Sequence, residues 1–549
     1  MVFPRWVGLA TTSALVALLS ACGPSNNSDP SEPGPPQQPT GRFLNVEGLT
    51  FSSQSHSGVT GENGSFDYAE NEAVTFSLGD LELGTTLPKA IISPFDLVQG
   101  SEPITGNLII RREIAANLEY NHVINLMTLL TTLDDDLNPN NGIQISKPVS
   151  QSITEMDFHQ PYFDFYHGEQ FRGLLDLLNS NGLFTDHRLP AKSWWGMQLL
   201  HQQIGIDAAW ALTSTDTDFD ADGTVDSSST PTVYNTLGQI ETESSSSGGH
   251  QRHHYDFWGN LVRTTEYYSN GDVSRETYSD RDETGRVTER RVDFGADGDF
   301  ESIHRYKLGN LPLTSYTEYV DPDTLEVTSI YYTTKNALGD LVETSRDAEA
   351  NGVLDRIERY TYDDLDRLIL HTKDNDGDTE IDGQSRWIYG PQEGFYERRN
   401  EDGNQVASQI LQYQEDEAGR LTSYYFDANA NGFPELFDTY TYNEFGLRVT
   451  HVSNQDGMKQ DIDDEIDFTR EYEYQDGLYL TRVHRVNHPQ DTLSNVQINT
   501  YDENKNVASK STSQNDETIT RIEHYNYQAL GGWHTVFRRL EGEIENATY

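Results

Sequence analysis

Apolar and polar positions along the chain fall into three textures. From Gly41 to about residue 104 they alternate in short runs such as Val74-Thr75-Phe76-Ser77-Leu78, broken by Gly-containing turns, which predicts a small β-module. Over 105–212 the spacing becomes helical, in "LIIRREIAANLEYNHVINLMTLLTTL", "QFRGLLDLLNSNGLF" and "SWWGMQLLHQQIGI". From 213 to 549 the texture is uniform: short period-two strands of Tyr, Thr and charged residues, with turns throughout. The expected fold is therefore mainly β, an antiparallel β-hairpin repeat sheet preceded by a small β-module and an α-helical segment.

The strand-rich part repeats itself. Turns at Gly238, Gly259, Gly285, Gly309, Gly339, Asp366, Gly419, Gly446, Gly477 and Gly531 recur about every 27 residues, allowing a degenerate unit near Gly394. Each unit has room for a hairpin. In "ERYTYD" and "DTYTYN" the two-residue period puts Tyr360 with Tyr362, and Tyr440 with Tyr442, on one strand face. Such stripes can pack as a thin core, with the phenol end reaching a neighbour or water. The alternative is an exposed aromatic row that stacks on sugar rings.

The residues of the repeat carry a resemblance. "YTYDDLDRL", "HYDFWGNLV" and "YQEDEAGRL" resemble the YD repeats of the Rhs family, Tyr-Asp-x-x-Gly-Arg/Asn-Leu, over most of 231–531. The resemblance implies a long curved antiparallel sheet. The units here are longer than is usual in that family, and several lack the Asp or the Gly. The chain looks short for a full Rhs cocoon, with no further C-terminal domain that reads as toxin cargo. In the β-module, "SGVTGENGSFDY" resembles a turn segment of small β-sandwiches of the carboxypeptidase-regulatory type.

Acidic loops recur in register with the repeat. "DFDADGTVD" places oxygens at Asp218, Asp220, Asp222 and Asp226; "DAEANGVLD" at Asp347, Glu349, Asn351 and Asp355; "DANANGFPE" at Asp427, Asn429, Asn431 and Glu435. All three fit the first nine positions of an EF-hand-like loop, whose alternate side chains converge on one Ca²⁺. Poorer copies are Asp374, Asp376, Asp378 and Asp382, and Asp293, Asp297 and Glu301. The flanks alternate like strands, so these read as calcium-type loops at hairpin ends rather than EF-hands. Asp, Asn and Gly also make good turns without any ion. Asp134, Asp136 and Asn138 in "DDDLNPNNG" offer a further oxygen-rich loop, with a capped helix end as the plainer reading.

The N-terminus sets the expected compartment. "MVFPRWVGLATTSALVALLSAC" has a short apolar run after Arg5 and reads as a secretory signal over 1–21. Leu19-Ser20-Ala21-Cys22 resembles a bacterial lipobox, and Cys22 is the chain's single cysteine. The resemblance implies cleavage before Cys22, acylation of its thiol and membrane attachment through the lipid. Gly23 in place of an Asp points to the outer membrane, with the exposed face left open. Residues 22–40, rich in Pro, Ser and Asn, read as a tether. One cysteine allows no internal disulfide.

A net charge of -51 argues against nucleic acid as a partner and favours divalent cations. Hydrophobic residues make up only 35%, so core burial needs help from elsewhere. There is no nucleophile elbow, HExxH, Walker loop or paired Cys/His zinc spacing in the sequence. His250, His253 and His254 in "GGHQRHHYD" could bind a transition metal, and a flexible loop is the plainer expectation. The reading is a non-catalytic, lipid-anchored envelope protein with calcium-stabilised β-repeats, a surface interaction or adhesion scaffold with a protein or glycan partner. The alternatives are an Rhs-like secretion or toxin-associated scaffold and a carbohydrate-binding repeat protein.

Overall fold

In a computed structural model the described residues are 39–547, except 137, 139, 140, 230, 246, 247, 284, 310–312, 337–339, 366, 390–392, 400–406, 433, 456–465, 489, 516 and 517. Cys22, the leader, Gly339 and Asp366 lie outside the described residues.

The N-terminal strands form small sheets over an aromatic core. Val74–Leu78 buries every second side chain, as its alternation requires. It pairs with Thr50–Ser52 and Leu81–Thr86. Phe76 packs against Phe43 and Phe66, with ring centroids 4.9 and 5.1 Å apart.

The helical segment wraps one central helix, Leu118–Thr132, in which 12 side chains are buried. Asn117 caps it by accepting from the Tyr120 N–H at 3.0 Å. Ser193–Ile204 packs against it through Gly196, where a Cβ would stand only 3.1 Å from the Met127 backbone. The β-module and the helices share one continuous core.

The remaining strands form one sheet of 25, from Ala211–Asp218 to Ile519–Gln528. The last strand pairs antiparallel with the first, Thr215 opposite Tyr525 and Asp218 opposite Ile522, so the sheet closes on itself. The mainly β expectation and the antiparallel hairpin repeat are what the structure has.

Successive connections alternate between two rims. One rim carries the tyrosine-strand turns and the other the acidic loops. The helical body sits at the turn rim. There Arg112 donates to the Phe445 carbonyl at 2.8 Å, Gln198 to that of Leu237 at 3.2 Å, and the Arg188 guanidinium lies 5.7 Å over Trp258.

The uniform strand texture expected to residue 549 ends earlier. After Gln528 the chain forms the helix Gly532–Ala547, which returns to the helical body. Trp533, Val536, Phe537 and Leu540 are buried in its core. Their i, i+3, i+4, i+7 spacing is helical, but it spans barely two turns and is easily absorbed into the preceding repeats.

The turns explain the repeat's letters. The aspartate at the head of the turn closes it: Asp363, directly after Tyr362, accepts from the Leu365 and Arg367 N–H groups at 2.9 and 3.0 Å, and Asp416, which follows Glu415, from those of Ala418 and Arg420 at 2.9 and 3.0 Å. The glycine takes positive φ, 74° at Gly419 and 77° at Gly446, which an L side chain resists. The tyrosine hydroxyl donates to a leucine carbonyl at the start of the preceding strand. The pairs are Tyr362 to Leu341 at 2.7 Å, Tyr389 to Leu368 at 2.8 Å, Tyr442 to Leu421 at 2.6 Å and Tyr501 to Leu480 at 2.9 Å. These tyrosines are half-buried. The pattern thus encodes a ladder of phenol-to-backbone hydrogen bonds along the turn rim.

Candidate functional site

The five acidic loops share one conformation. Each begins with a buried aspartate whose two oxygens take backbone N–H groups from four and five residues on, or three and five in one loop. Asp218 accepts from Asp222 and Gly223 at 3.2 and 2.8 Å, Asp347 from Asn351 and Gly352 at 3.0 and 2.7 Å, and Asp427 from Asn431 and Gly432 at 3.2 and 2.7 Å. Asp293 does the same with Asp297 and Gly298 at 3.2 and 3.0 Å, and Asp374 with Gly377 and Thr379 at 2.7 and 2.9 Å.

The ninth residue closes the loop from the other side. Asp226, Asp355 and Glu435 accept from the N–H groups of Phe219, Ala348 and Ala428 at 2.7, 2.6 and 2.6 Å. Asp382 and Glu301 do so with Asn375 and Phe294, both at 2.6 Å.

A signal passed over in the sequence marks four of the five loops. Ala221, Ala296, Ala350 and Ala430 all stand before [Asp/Asn]-Gly, and all have left-handed φ, from 50° to 59°. A Cβ in that region is strained, by about 1 kcal/mol or more per residue, and the surrounding hydrogen bonds hold it there.

The carboxylates converge unevenly. Oxygens of Asp218, Asp220 and Asp222 lie within 4.8 Å of one another, and so do those of Asp374, Asp376 and Asp382. The Asp374 loop, which by sequence is a poorer copy, therefore gathers three carboxylates. The Asp347 and Asp427 loops use amides instead: Asn351 donates to Glu349 at 3.2 Å, and Asn429 to Glu435 at 2.6 Å. Repulsion from Asp222 raises the pKa of Asp220. Burial works to raise that of Asp218, but N–H donors from Gly223, Ala221, Asp222 and Asp220 outweigh it, and the net shift is downward.

The other candidates are otherwise engaged. Asp134 is buried, accepts from the Gln144 N–H at 2.8 Å, and is pushed up to about 7 by burial. Arg188 donates beside it to the carbonyls of Thr132, Asp134 and Asp135. Asp136 accepts from the Asn138 N–H at 2.8 Å. That corner is a helix end closed by a guanidinium and an Asx turn.

The histidines do not lie in a flexible loop, as expected from the preceding Ser/Gly run, but in the strand His250–Tyr255. Neighbouring strands recruit their backbone into the sheet, which outweighs that run. His253 faces away from His250 and His254 by the strand period, so the three do not converge. His250 stacks on Tyr267, with centroids 4.4 Å apart, and His253 pairs with Glu243 at 3.0 Å.

Sequence reading also missed a recurring trio of an acid, a tyrosine two residues on, and a histidine thirteen on. Glu358 accepts from Tyr360 at 3.1 Å and lies 2.7 Å from His371; Asp438 accepts from Tyr440 at 3.0 Å and lies 3.1 Å from His451. Each tyrosine stacks on its histidine, at 4.4 and 4.8 Å.

No protein-family profile matches the chain, and no curated protein matches it. Solved structures overlap it at low similarity. A TcdB2-TccC3 crystal structure is 13% identical, with a TM-score of 0.25, over 55% of this chain and 20% of that one. A Tc holotoxin pore from Photorhabdus luminescens gives 13% and 0.25 over 60% and 20%. A porin-like protein from Bacteroides uniformis gives 9% and 0.15 over 42% and 98%. The match thus spans about a fifth of the toxin chains. At these scores the overlays carry no argument about family or activity. Among the described residues, no helix is long and apolar enough to cross a membrane.

Proposed function

We propose that this chain is a non-catalytic, lipid-anchored scaffold of the bacterial cell envelope, tethered through Cys22 to the outer membrane. The observation that carries the scaffold reading is the closure of the 25-strand sheet with a helical body seated on its turn rim. A closed sheet leaves no edge for stray pairing and suits a durable extracytoplasmic body. The lipid anchor rests on the lipobox. The test is fractionation of Cys22→Ala: the variant leaves the membrane fraction, whereas continued detergent-only extraction sinks the proposal.

Calcium belongs to the same proposal. The three-carboxylate clusters at Asp218 and Asp374, and the shared loop conformation, support oxygen ligation by the acidic rim. Extracellular calcium modules bind at about 10⁻⁴–10⁻³ M. At about 10 mM Ca²⁺, each occupied loop then adds roughly 1.4–2.7 kcal/mol to stability. The test is thermal unfolding with calcium against magnesium at matched ionic strength. Asp220→Asn with Asp222→Asn, which gives the first loop the amide character of the third, removes part of the calcium increment. Equal effects of both ions leave the loops as plain turns.

A second reading, an Rhs-like scaffold for secretion or a toxin system, draws on the YD spacing and the closure. A protein that co-purifies stoichiometrically and is shielded from protease by the intact chain favours it over an adhesion or interaction surface.

A further inference from the structure

We propose that a pocket on the sheet face bearing Tyr360 binds a carboxylated sugar. The pocket spans four neighbouring strands, Thr314–Val320, Val327–Lys335, Leu341–Asp347 and Arg356–Tyr362. Register puts its side chains on one face: Tyr319 stands opposite Ser329, Tyr331 opposite Arg346, Arg346 opposite Arg356, and Thr344 opposite Glu358. Together they line a cavity of about 410 Å³, within the size range of small-ligand sites.

Its charge is out of keeping with the chain. The protein carries 89 acidic against 38 basic residues, and its arginines characteristically hold acids: Arg359 with Glu343, Arg305 with Glu289, Arg420 with Asp416. Here two arginines stand directly opposite each other, which is destabilising in a sheet. Glu358 serves Arg356, and it also takes Tyr360 and His371. Arg346 is exposed and makes no ion pair among the described residues. An anion in the pocket relieves the pair.

The remaining walls specify what kind of anion. Tyr319 and Tyr331 are each 38% exposed, unlike the half-buried tyrosines of the turn ladder. His304 packs edge-on to Tyr319, with centroids 4.6 Å apart, and steadies that ring. Buried Ser329 and Thr344 supply hydroxyls at the floor. Aromatic faces suit the C–H faces of a pyranose, hydroxyls suit its hydroxyls, and a guanidinium fork suits a carboxylate bidentately. A small inorganic anion uses none of the aromatic wall. This site is independent of the calcium loops and of the anchor.

The test is calorimetric titration of the detergent-solubilised full chain with trigalacturonate, a neutral galactose trisaccharide, acetate and inorganic phosphate. Trigalacturonate is expected to bind, and the other three to bind at least roughly tenfold more weakly. Arg346→Gln is expected to lower trigalacturonate affinity roughly tenfold, and Tyr331→Ala to lower it too, with the melting temperature preserved. If Arg346→Gln does not fold, Arg346→Lys keeps the charge but loses the fork, and an intermediate loss is expected. The proposal is overturned by equal binding of the neutral trisaccharide, by equal binding of phosphate or acetate, by undiminished affinity in the arginine variant, or by no trigalacturonate binding at about 10 mM.

Discussion

Replacing Asp427 by alanine separates the acidic loop as a turn from the acidic loop as an ion site. Asp427 is 0% exposed, and its carboxylate takes the Gly432 N–H at 2.7 Å, that of Asn431 at 3.2 Å and that of Asn429 at 3.3 Å. A hydrogen bond to a charged group contributes about 1.5–3 kcal/mol net, and the two longer contacts fall toward the bottom of that range or below it. One strong bond and two weak ones give about 2–4 kcal/mol, lost even without any metal. The left-handed Ala430 adds to this, because nothing then holds it in place. The assay is urea unfolding in chelator, repeated with calcium. Asp427→Ala is expected to lose about 2–4 kcal/mol in chelator and a further ligand increment in calcium. Asp427→Asn keeps one acceptor oxygen and is expected to lose about half as much in chelator. Asp220→Asn with Asp222→Asn, both in an exposed part of the first loop, is expected to lose stability only with calcium. If Asp427→Ala unfolds like the parent in chelator, the hydrogen-bond reasoning for all five loops is wrong.

The phenol ladder makes its own prediction. Tyr362→Phe, Tyr442→Phe and Tyr501→Phe each remove one hydrogen bond and should lose about 0.5–1.5 kcal/mol in urea unfolding, additively because the sites are far apart, whereas an unchanged triple variant removes the ladder from the account. Acid should loosen the helical body. Burial holds His201 and His534 down to about 4, so the stability they contribute is full above about 6.5 and is lost as pH falls toward about 4, by about 3 kcal/mol each. Asp134, raised to about 7, opposes this by gaining as pH falls from about 7 toward 3.8, and His534→Gln should flatten the acid limb of the urea midpoint against pH while leaving the Asp134 contribution in place.

The sheet was legible because its signals are local. Gly446, Asp416 and Tyr442 each act on neighbours in sequence or on the adjoining strand, so their spacing alone points to hairpins. The acidic loops were legible as a family for the same reason. Which of them gathers charge was not. Asp374, Asp376 and Asp382 converge although their spacing fits the calcium pattern less well, since convergence depends on side-chain directions that spacing does not encode. Closure was also hidden, because the pairing of Ala211–Asp218 with Ile519–Gln528 joins residues about three hundred apart with no motif to announce it. The final helix escaped for want of length. The pocket at Arg346 escaped because its side chains come from four strands, and only register brings them to one face.

The coupling of acidic loops to tyrosine strands follows from how little this chain has to bury. Its hydrophobic fraction is 35%, and the apolar core is concentrated in the helical body and the small β-module rather than in the sheet. A sheet of charged and hydroxyl-bearing strands needs its hairpins fixed in register by something other than a packed interior. Where an acidic loop meets a tyrosine strand, the unit has a clamp at both ends. At the turn rim the phenol of one strand holds the first carbonyl of the strand before it, as Tyr442 holds Leu421. At the far rim a buried carboxylate gathers the loop's N–H groups, as Asp427 does. The two clamps face opposite sides of the sheet, since Asp347 and Ile357 share one face while Tyr360 and Tyr362 share the other. A one-residue slip would therefore move both to the wrong side at once. Register is set by polar groups that each need one particular partner, so a long sheet can close on itself without an oily core.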